Sequence, residues 1–198
     1  FKEEKFDFGR MFGFAYGEKE NGAVFSHMAV MYANALYKRG FIKEGYKVLK
    51  NLLDSAMDFE SSIMYPGIPE YFDNDGRGLY AYLTGAASWY MLTMITEVFG
   101  VRGELGNLVI KPALLPEQFD KDGKAAIKLN FSGRTLKITI HADIDNIQDN
   151  NGVYNKIIRV ECDGNELESA DLKKVVIMKK RIEEMSCGRC HEIDVFIK

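Results

Sequence analysis

The spacing of apolar residues divides the chain into a helical part and a strand part near residue 105. Before that point apolar residues recur at three- and four-residue steps, which predicts amphipathic helices over residues 23–38 and 42–57. A third helix, predicted from about Gly85 to Phe99, is apolar nearly all round and should be buried on several sides. The expected buried stripes are Val24, Met28, Met31, Ala35 and Leu36 in the first helix and Tyr46, Leu49, Leu53 and Met57 in the second.

After residue 105 the apolar period becomes two, which is typical of half-buried strands. Residues 134–140 alternate cleanly, and shorter alternations at 158–162, 175–178 and 193–197 predict further strands. The pair Asp163–Gly164 predicts a hairpin turn. The inward positions of the longest alternation are Leu136, Ile138 and Ile140. The predicted fold class is therefore α+β, with helices followed by a small antiparallel β-sandwich.

Between the second and third helices lies a long irregular segment, residues 58–83, which holds two of the four prolines. A loop of this length within a compact domain is usually functional or disordered. Its aromatic residues favour an ordered loop, because they would otherwise be left in water. These are Tyr65, Tyr71, Phe72, Tyr80 and Tyr82.

Charge and hydropathy exclude several functional classes. The net charge of -3 provides no basic face, which argues against nucleic acid as a partner. No apolar run approaches the roughly 20 residues of a membrane span, and the charged start lacks the apolar core of a signal peptide. The chain also lacks an initiator Met, so we expect a piece of a larger polypeptide, although processing could give the same start. The cysteine content leads us to expect a cytoplasmic protein.

Three cysteines, an odd number, do not form a typical secreted disulfide framework and fit a reducing compartment. Cys187 and Cys190, followed by His191, have the spacing of a redox pair or of half a zinc site. Because the third cysteine, Cys162, lies 25 positions upstream, a turn between two strands is the favoured interpretation and no metal is predicted.

The predicted start of the third helix carries candidate chemistry. The first N–H groups of a helix lack internal partners, and the helix dipole adds partial positive charge there. Thr84 can cap this end, while Gly85 lets a ligand approach the backbone closely. Such an end is suited to phosphate, although many capped helices bind nothing.

Several motifs occur together in one order. Lys-Glu-Asn-Gly at 19–22 is followed closely by His27, and Leu-Thr-Gly at 83–85 is followed by Trp89. With Phe-Gly-Val at 99–101 and Leu-Val-Ile-Lys-Pro at 108–112, this combination resembles the C-terminal part of the glycoside phosphorylases of glycoside hydrolase family 94. That family includes the cellobiose, cellodextrin, chitobiose and β-1,2-oligoglucan phosphorylases.

The resemblance implies part of an (α/α)6-barrel catalytic domain over residues 1–105 and a C-terminal β-sandwich domain over residues 106–198. It also implies inverting phosphorolysis, in which inorganic phosphate cleaves a β-linked gluco-oligosaccharide to a sugar 1-phosphate. Phosphate is then a co-substrate and no cofactor is expected. Because phosphate is itself the nucleophile, it takes the place of the carboxylate that activates water in an inverting hydrolase. The protein would be a glycosyltransferase within a longer chain.

Three residues match the family's phosphate site: His27 by its imidazole, Thr84 by its hydroxyl and Gly85 by its backbone N–H. The family's general acid, an Asp, is expected upstream, so no residue of this chain is assigned as catalytic acid. We therefore expect this chain to be inactive by itself. Without the resemblance, an isolated histidine on an apolar helix is more typical of a satisfied core residue.

The expected substrate-binding residues are Lys19, Glu20, Glu70 and Arg77. Lys19 matches a family lysine near the sugar, with Glu20 beside it, although the two could equally form a solvated charge pair. Glu70 in the aromatic loop could touch substrate or cap the loop, and Arg77 could reach phosphate or sugar or be a turn residue. Trp89 could stack on sugar, but core packing is favoured.

Two other functions stay open. A non-catalytic carbohydrate-binding or scaffold module would need exposed aromatics on one sandwich face, where only Phe131, Tyr154 and Phe196 are available. A helical-barrel hydrolase would need paired carboxylates, and Asp73 with Asp75 are better explained by turn chemistry. Helices taken from a closed barrel would expose apolar faces, so we also expect a homo-oligomer or the remainder of the parent enzyme as partner.

Overall fold

A computed structural model describes residue 3 and residues 5–65, 67–80, 85–142, 156–167 and 173–198. The chain forms two compact units, Phe1–Thr93 and Met94–Lys198. The predicted domain boundary near residue 105 stays a prediction. No helix within the described ranges has both the length and the apolar character required to cross a membrane.

In its described residues the first unit contains four α-helices and a small sheet, and its two long helices lie close to where the apolar period predicts them. The helices are α1 (Ser26–Lys38), α2 (Ile42–Met57), α3 (Phe59–Ser62) and α4 (Gly85–Thr93). The sheet consists of β1 (Val24–Phe25), β2 (Tyr71–Phe72) and β3 (Gly78–Leu79), paired antiparallel in that order. Segment 58–83 is thus ordered in its described residues, as its aromatic content predicts.

The buried face of α1 differs from the predicted apolar stripe. Val24, which was predicted to lie in this helix, is exposed and belongs to β1. Met28, Met31 and Ala35 are exposed, whereas Val30, Ala33 and Tyr37 are buried. The reason is the close packing of helices through small residues, since a side chain at Gly45 of α2 would lie 2.6 Å from the Tyr37 ring. In α2, Leu49 is buried as predicted, but Leu53 and Met57 are exposed and the neighbouring Leu52 and Ala56 are buried instead.

The prediction that the third helix is buried on several sides is also wrong for its α-helical part. Met91 and Leu92 are exposed, and within α4 only Ala86 and Thr93 are buried. Thr93 accepts a buried hydrogen bond from Asn34 Nδ2 at 3.1 Å, so α1 and α4 meet along a narrow and partly polar line. A π-helical turn, Met94–Val98, follows α4 and completes the predicted length.

Among the residues of the second unit that the structure describes are two sheets and a short α-helix. A three-stranded sheet joins β4 (Val101–Glu104), β5 (Asn107–Ile110) and β10 (Val175–Ile177). A five-stranded sheet has the order β6-β7-β11-β8-β9, and the helix α5 is Lys179–Glu184. The strands of the larger sheet are β6 (Lys124–Phe131), β7 (Arg134–Ala142), β8 (Ile157–Cys162), β9 (Asn165–Glu166) and β11 (Cys190–Ile197).

The larger sheet is mixed, so the prediction of a purely antiparallel sandwich is wrong. β11 runs parallel to β7, from Cys190 opposite Thr135 to Ile197 opposite Ala142, and antiparallel to β8. Parallel neighbours need a long crossover, and the chain from β7 to β11 includes three strands and α5. Period-two patterning specifies which side chains face inward but leaves strand direction open.

The alternation of β7 is buried as predicted, but the one predicted for β8 is wrong at Ile158, which is 57% exposed while Ile157 is buried, because the register of β8 against β11 shifts at this end. Leu136, Ile138 and Ile140 of β7 are fully buried, as are Ile193 and Val195 of the adjacent β11. The hairpin turn is also confirmed, because Asp163 and Gly164 both have positive φ between β8 and β9.

Together the two units make a mixed fold of helices followed by strands, which agrees with the coarse class α+β. The helices within the described ranges do not close a barrel. A partial (α/α)6 barrel and a β-sandwich therefore stay predictions.

Candidate anion and sugar site

The N-terminal ends of α1 and α4 meet at the imidazole of His27. A side chain at Gly85, the first residue of α4, would place its Cβ 2.8 Å from both Cε1 and Nδ1 of His27. Only a residue without Cβ lets the ring lie so close to the start of this helix. One turn further, the Trp89 ring lies 6.0 Å from the His27 ring, centroid to centroid. Thr84, the third predicted phosphate ligand, lies outside the described residues.

Two polar groups at the start of α1 are buried without a partner. His27 Nε2 and Ser26 Oγ are both inaccessible, and neither makes a hydrogen bond within the described part of the chain. Phe25 at the N-cap provides no side-chain cap for the helix N–H groups. An unsatisfied buried polar group costs about 1–3 kcal/mol, so a ligand that satisfies both groups would be stabilised by that difference. N–H groups and the dipole at both helix ends favour an anion.

The small sheet connects the start of α1 to the aromatic loop. Ser26 N donates to Glu70 O at 3.0 Å, and Phe25 pairs with Tyr71 in the β1–β2 ladder. The rings of Phe25 and Tyr71 lie 5.6 Å apart. Glu70 is thereby fixed beside the first residue of α1, and its N–H donates to the Leu79 carbonyl at 3.1 Å.

Lys19 forms a cluster with two tyrosines of this loop. Its Nζ lies 4.1 Å from the centroid of the Tyr80 ring and 6.0 Å from that of Tyr71. A hydrogen bond to Tyr80 raises the pKa of the Lys19 ammonium above its ordinary value, and the charge of Glu70 acts in the same direction. Lys19 is therefore cationic at neutral pH. Tyr71 is buried beneath Tyr80, whose side chain is partly open to solvent.

Both partners of this contact have strained backbones. Lys19 has φ +40° and Tyr80 has φ +65°, a region that costs a non-glycine residue about 1–3 kcal/mol. Lys19 occupies a tight turn closed by hydrogen bonds from Asn21 N to Glu18 O (2.9 Å) and from Gly17 N to Asn21 O (2.7 Å). Strain of this kind persists where the surroundings enforce it, and it is concentrated at functional sites.

The structure does not bring two of the predicted residues into this cluster. Glu20 pairs with Arg10, whose Nε lies 3.0 Å from Oε1, and not with Lys19. Arg77 is exposed in the β2–β3 turn, where its backbone N–H donates to Asp73 Oδ1 at 2.9 Å. Asp75 N also donates to Asp73 Oδ1, at 3.0 Å, which supports the turn interpretation of the two aspartates.

Sequence reasoning missed three residues of the site: Ser26, Tyr71 and Tyr80. The tyrosines were predicted only to order the loop. Their dense spacing around the Gly-Arg-Gly turn was the available signal. Ser26 had a weaker signal, since it immediately precedes a candidate phosphate ligand on the same helix.

His191 of the second unit is held in place by two hydrogen bonds of its ring. His191 Nδ1 donates to Asp163 Oδ2 at 2.7 Å, and its Nε2 lies 3.0 Å from the Ser186 carbonyl oxygen. Both ring nitrogens are therefore occupied. All three cysteines are free thiols, with Cys162 buried and Cys187 and Cys190 exposed. Within the described ranges no group of three or more His, Cys, Asp or Glu side chains is arranged to hold a metal.

The aromatics of the second unit do not form an open platform in its described residues. Phe196 stacks on His141 with centroids 4.5 Å apart, and the Arg159 guanidinium carbon lies 3.9 Å from the Phe196 centroid. Phe131 lies in β6 near Gly103. Tyr154, the remaining candidate for a sugar-binding face, lies outside the described residues.

Comparison with known proteins identifies a distant relative. The chain is 26% identical over 147 residues to the cellobionic acid phosphorylase of Neurospora crassa. The match covers 68% of this chain and 18% of the relative, so the chain corresponds to less than a fifth of that protein's length. No family model matches the chain. The similarity supports a relationship to a glycoside phosphorylase at this distance.

Proposed function

We propose that this chain supplies the phosphate-binding part of the active site of a cytoplasmic inverting glycoside phosphorylase. The observation that carries the proposal is the contact between the His27 imidazole and the first residue of α4, with His27 Nε2 buried and unpartnered in the described chain. The distant similarity to a cellobionic acid phosphorylase supports the same reaction class. The substrate class is a β-linked gluco-oligosaccharide.

In the proposed reaction an oxygen of inorganic phosphate attacks the anomeric carbon while the glycosidic C–O bond breaks. A general acid protonates the leaving oxygen, and the product is a sugar 1-phosphate of inverted configuration. His27, Thr84 and the Gly85 N–H would hold the phosphate in line with the bond that breaks. Such positioning removes entropy from the barrier and stabilises charge on the phosphoryl oxygens.

The sugar would lie on the side of Lys19 and Tyr80. A charged ammonium held above an aromatic ring can donate to sugar hydroxyls, and the carboxylate of Glu70 can accept from them. Glu20 and Arg77 are proposed only as outer contacts, because Glu20 pairs with Arg10 and Arg77 lies in a turn. No residue of the chain is proposed as the general acid.

The anion site can be tested by NMR, because the chain has three histidines, His27, His141 and His191. We expect titration with inorganic phosphate to move the imidazole signals of His27 saturably. The signals of His141 and His191 should stay in place, since each ring already pairs with a carboxylate. A control titration with sodium chloride at the same ionic strength distinguishes phosphate binding from the general screening of charges by salt.

Two variants sharpen this experiment. In Gly85→Ala the new Cβ displaces the His27 ring, so we expect phosphate to bind at least tenfold more weakly. His141→Asn serves as the matched control and should leave phosphate affinity unchanged. The proposal fails if the His27 signals do not respond to phosphate, or if they respond equally to chloride.

An activity assay addresses the remainder of the proposal. The 198-residue chain is incubated with phosphate and β-linked gluco-oligosaccharides, including cellobionic acid, and sugar 1-phosphate is measured. We expect no product above the blank, because the general acid would come from other parts of the enzyme. Product formation by the chain alone would contradict that assignment, and cleavage in phosphate-free buffer would indicate a hydrolase.

A further inference from the structure

Ser26 differs from the other buried serine of its unit. Ser26, at the first position of α1, is 0% exposed, and its Oγ makes no hydrogen bond within the described chain. Ser62 is equally buried, but its Oγ donates to the Ala56 carbonyl at 3.3 Å and accepts from Met64 N at 3.4 Å. The fold therefore satisfies a buried serine hydroxyl at one position and leaves it unsatisfied at the other.

The unpartnered hydroxyl is followed in sequence by a residue with a second unpartnered group. His27 follows Ser26 directly, and its Nε2 is also buried and makes no hydrogen bond within the described chain. Both residues lie in the first turn of a thirteen-residue helix that lacks a side-chain cap. The start of α4 lies against the same imidazole. A hydroxyl, an imidazole and two helix N-termini are the donors expected around one tetrahedral anion.

We propose that the Ser26 hydroxyl is a further phosphate ligand, so that the N-terminus of α1 forms a second wall of the anion site opposite α4. This inference rests on the proposed function and extends it to a residue outside the His, Thr and Gly set. Ser26 donates its hydroxyl proton to a phosphate oxygen, while the N–H groups that follow Ser26 in the first turn of α1 face the same charge. The Ser26 N–H itself is bound to the Glu70 carbonyl. No bond is made or broken by Ser26.

The proposal predicts opposite effects of one substitution on stability and on binding. Ser26→Ala removes a buried hydroxyl that has no partner, so the thermal midpoint in phosphate-free buffer should be equal to or above that of the wild type. The same substitution should weaken phosphate binding about tenfold, the usual effect of losing one hydrogen bond to a charged group. A purely structural serine would lower the midpoint and leave affinity unchanged.

The experiment measures both quantities on the 198-residue chain, with inorganic phosphate as the probe. Affinity comes from the His27 NMR titration, and the midpoint comes from thermal unfolding with and without phosphate. Ser62→Ala is the matched control, because it removes a satisfied hydroxyl of equal burial. It should lower the midpoint and keep the phosphate affinity of the wild type.

The outcomes separate this inference from the proposed function. If wild-type His27 signals do not respond to phosphate, the proposed anion site itself is wrong. If they respond and Ser26→Ala binds phosphate as tightly as the wild type, the role of Ser26 is overturned and the His27 site stands. A lower midpoint of Ser26→Ala in phosphate-free buffer would also contradict the proposal, since it would reveal a partner for the hydroxyl.

Discussion

The two units of this chain use their apolar residues differently. In the first unit, Met28 of α1 and Met91 of α4 are 66% and 63% exposed, and further apolar side chains of α2 also face solvent. In the second unit, Ile138 and Ile193 on neighbouring strands are 0% exposed. The sheet encloses its apolar alternation, whereas the helices carry more apolar surface than their mutual packing covers.

This difference follows from the geometry of the elements. A strand has two faces, so a period of two assigns each residue to the core or to the outside. A helix presents its whole circumference, and α1 has apolar residues on more than one side. Contiguous exposed apolar surface is a feature of interaction sites. The exposed apolar side chains of the helices are therefore candidates for contact with other protein, which the last prediction below tests.

The largest effect is expected from shortening a side chain in the larger sheet. Ile138→Ala leaves a cavity in a fully buried position and should destabilise the second unit by about 2–5 kcal/mol. Cys162 reports on this unit, because its thiol is buried and burial raises its pKa, which keeps it unreactive until the sheet opens. Trp89, the single tryptophan, reports on the first unit by fluorescence.

Ile158→Ala in β8 is the matched control for this substitution. Ile158 is 57% exposed, so its truncation should change stability by no more than about 0.5 kcal/mol. In Ile138→Ala, Cys162 should react with a thiol reagent at lower denaturant, while the Trp89 transition should keep its midpoint. An equal shift of both probes would contradict the description of two units with separate cores.

The next largest effect concerns the turn between β8 and β9. Asp163 Oδ2 accepts from Arg189 Nη2 at 2.6 Å and from His191 Nδ1 at 2.7 Å, and Oδ1 accepts from Glu192 N at 3.0 Å. Asp163→Asn keeps a residue that tolerates positive φ but removes the charge. We expect a loss of about 1–2 kcal/mol at pH 7, since the side chain is partly exposed.

The pH dependence of this effect has a definite sign. Partial burial favours the neutral acid, but the hydrogen bonds from His191 and Glu192 N outweigh it and lower the pKa of Asp163 below 3.8. The stability that the ionised Asp163 side chain provides is therefore fully present above about pH 3.8. It is lost as the pH falls through the lower pKa of Asp163 in the folded state. The difference in stability between Asp163→Asn and the wild type should shrink in acid, as measured by urea unfolding followed by circular dichroism. A difference that grows in acid would refute the ion-pair explanation.

Local order could be predicted from the sequence in both units, but the buried faces could be predicted more fully in the second, where Ile158 is an exception. The apolar period gives the bounds of α2, and it gives the buried residues Leu136, Ile138 and Ile140 of β7. It fails for the buried side of α1, because Gly45 and Ala33 allow a close helix contact that hydrophobicity does not encode. It also fails for the direction of β11, which depends on a long crossover.

The candidate site was predictable where a single residue type has one strong chemical role. His27 and Gly85 were expected to share an anion site, and the structure brings their positions into contact; phosphate binding itself stays a prediction. Tyr80 was missed because its role depends on contact with Lys19, which lies 61 positions away in sequence. Glu20, beside Lys19 in sequence, points to Arg10 because a strained turn separates the directions of adjacent side chains.

A smaller effect is expected at Lys19 itself. At an ordinary position glycine is less stable than alanine by about 0.5–1 kcal/mol, but φ +40° reverses this preference. Both Lys19→Gly and Lys19→Ala lose the contact with Tyr80, so that loss cancels between them. Lys19→Gly should therefore be more stable than Lys19→Ala by up to about 1 kcal/mol, as measured by Trp89 fluorescence in urea. The opposite order would show that the turn relaxes in solution.

The smallest effect on stability is expected at the exposed apolar side of the helices. The double substitution Met28→Gln and Met91→Gln should change the free energy of unfolding by no more than about 0.5 kcal/mol, because both side chains face solvent. If these residues contact other protein, the wild type should self-associate at high concentration and the variant should remain monomeric in light scattering. Met178→Gln, 60% exposed in the second unit, is the matched control and should leave association unchanged. A wild type that remains monomeric at all concentrations would show that these residues do not mediate self-association. The partner for this surface would then be a different chain, such as the remainder of a larger enzyme.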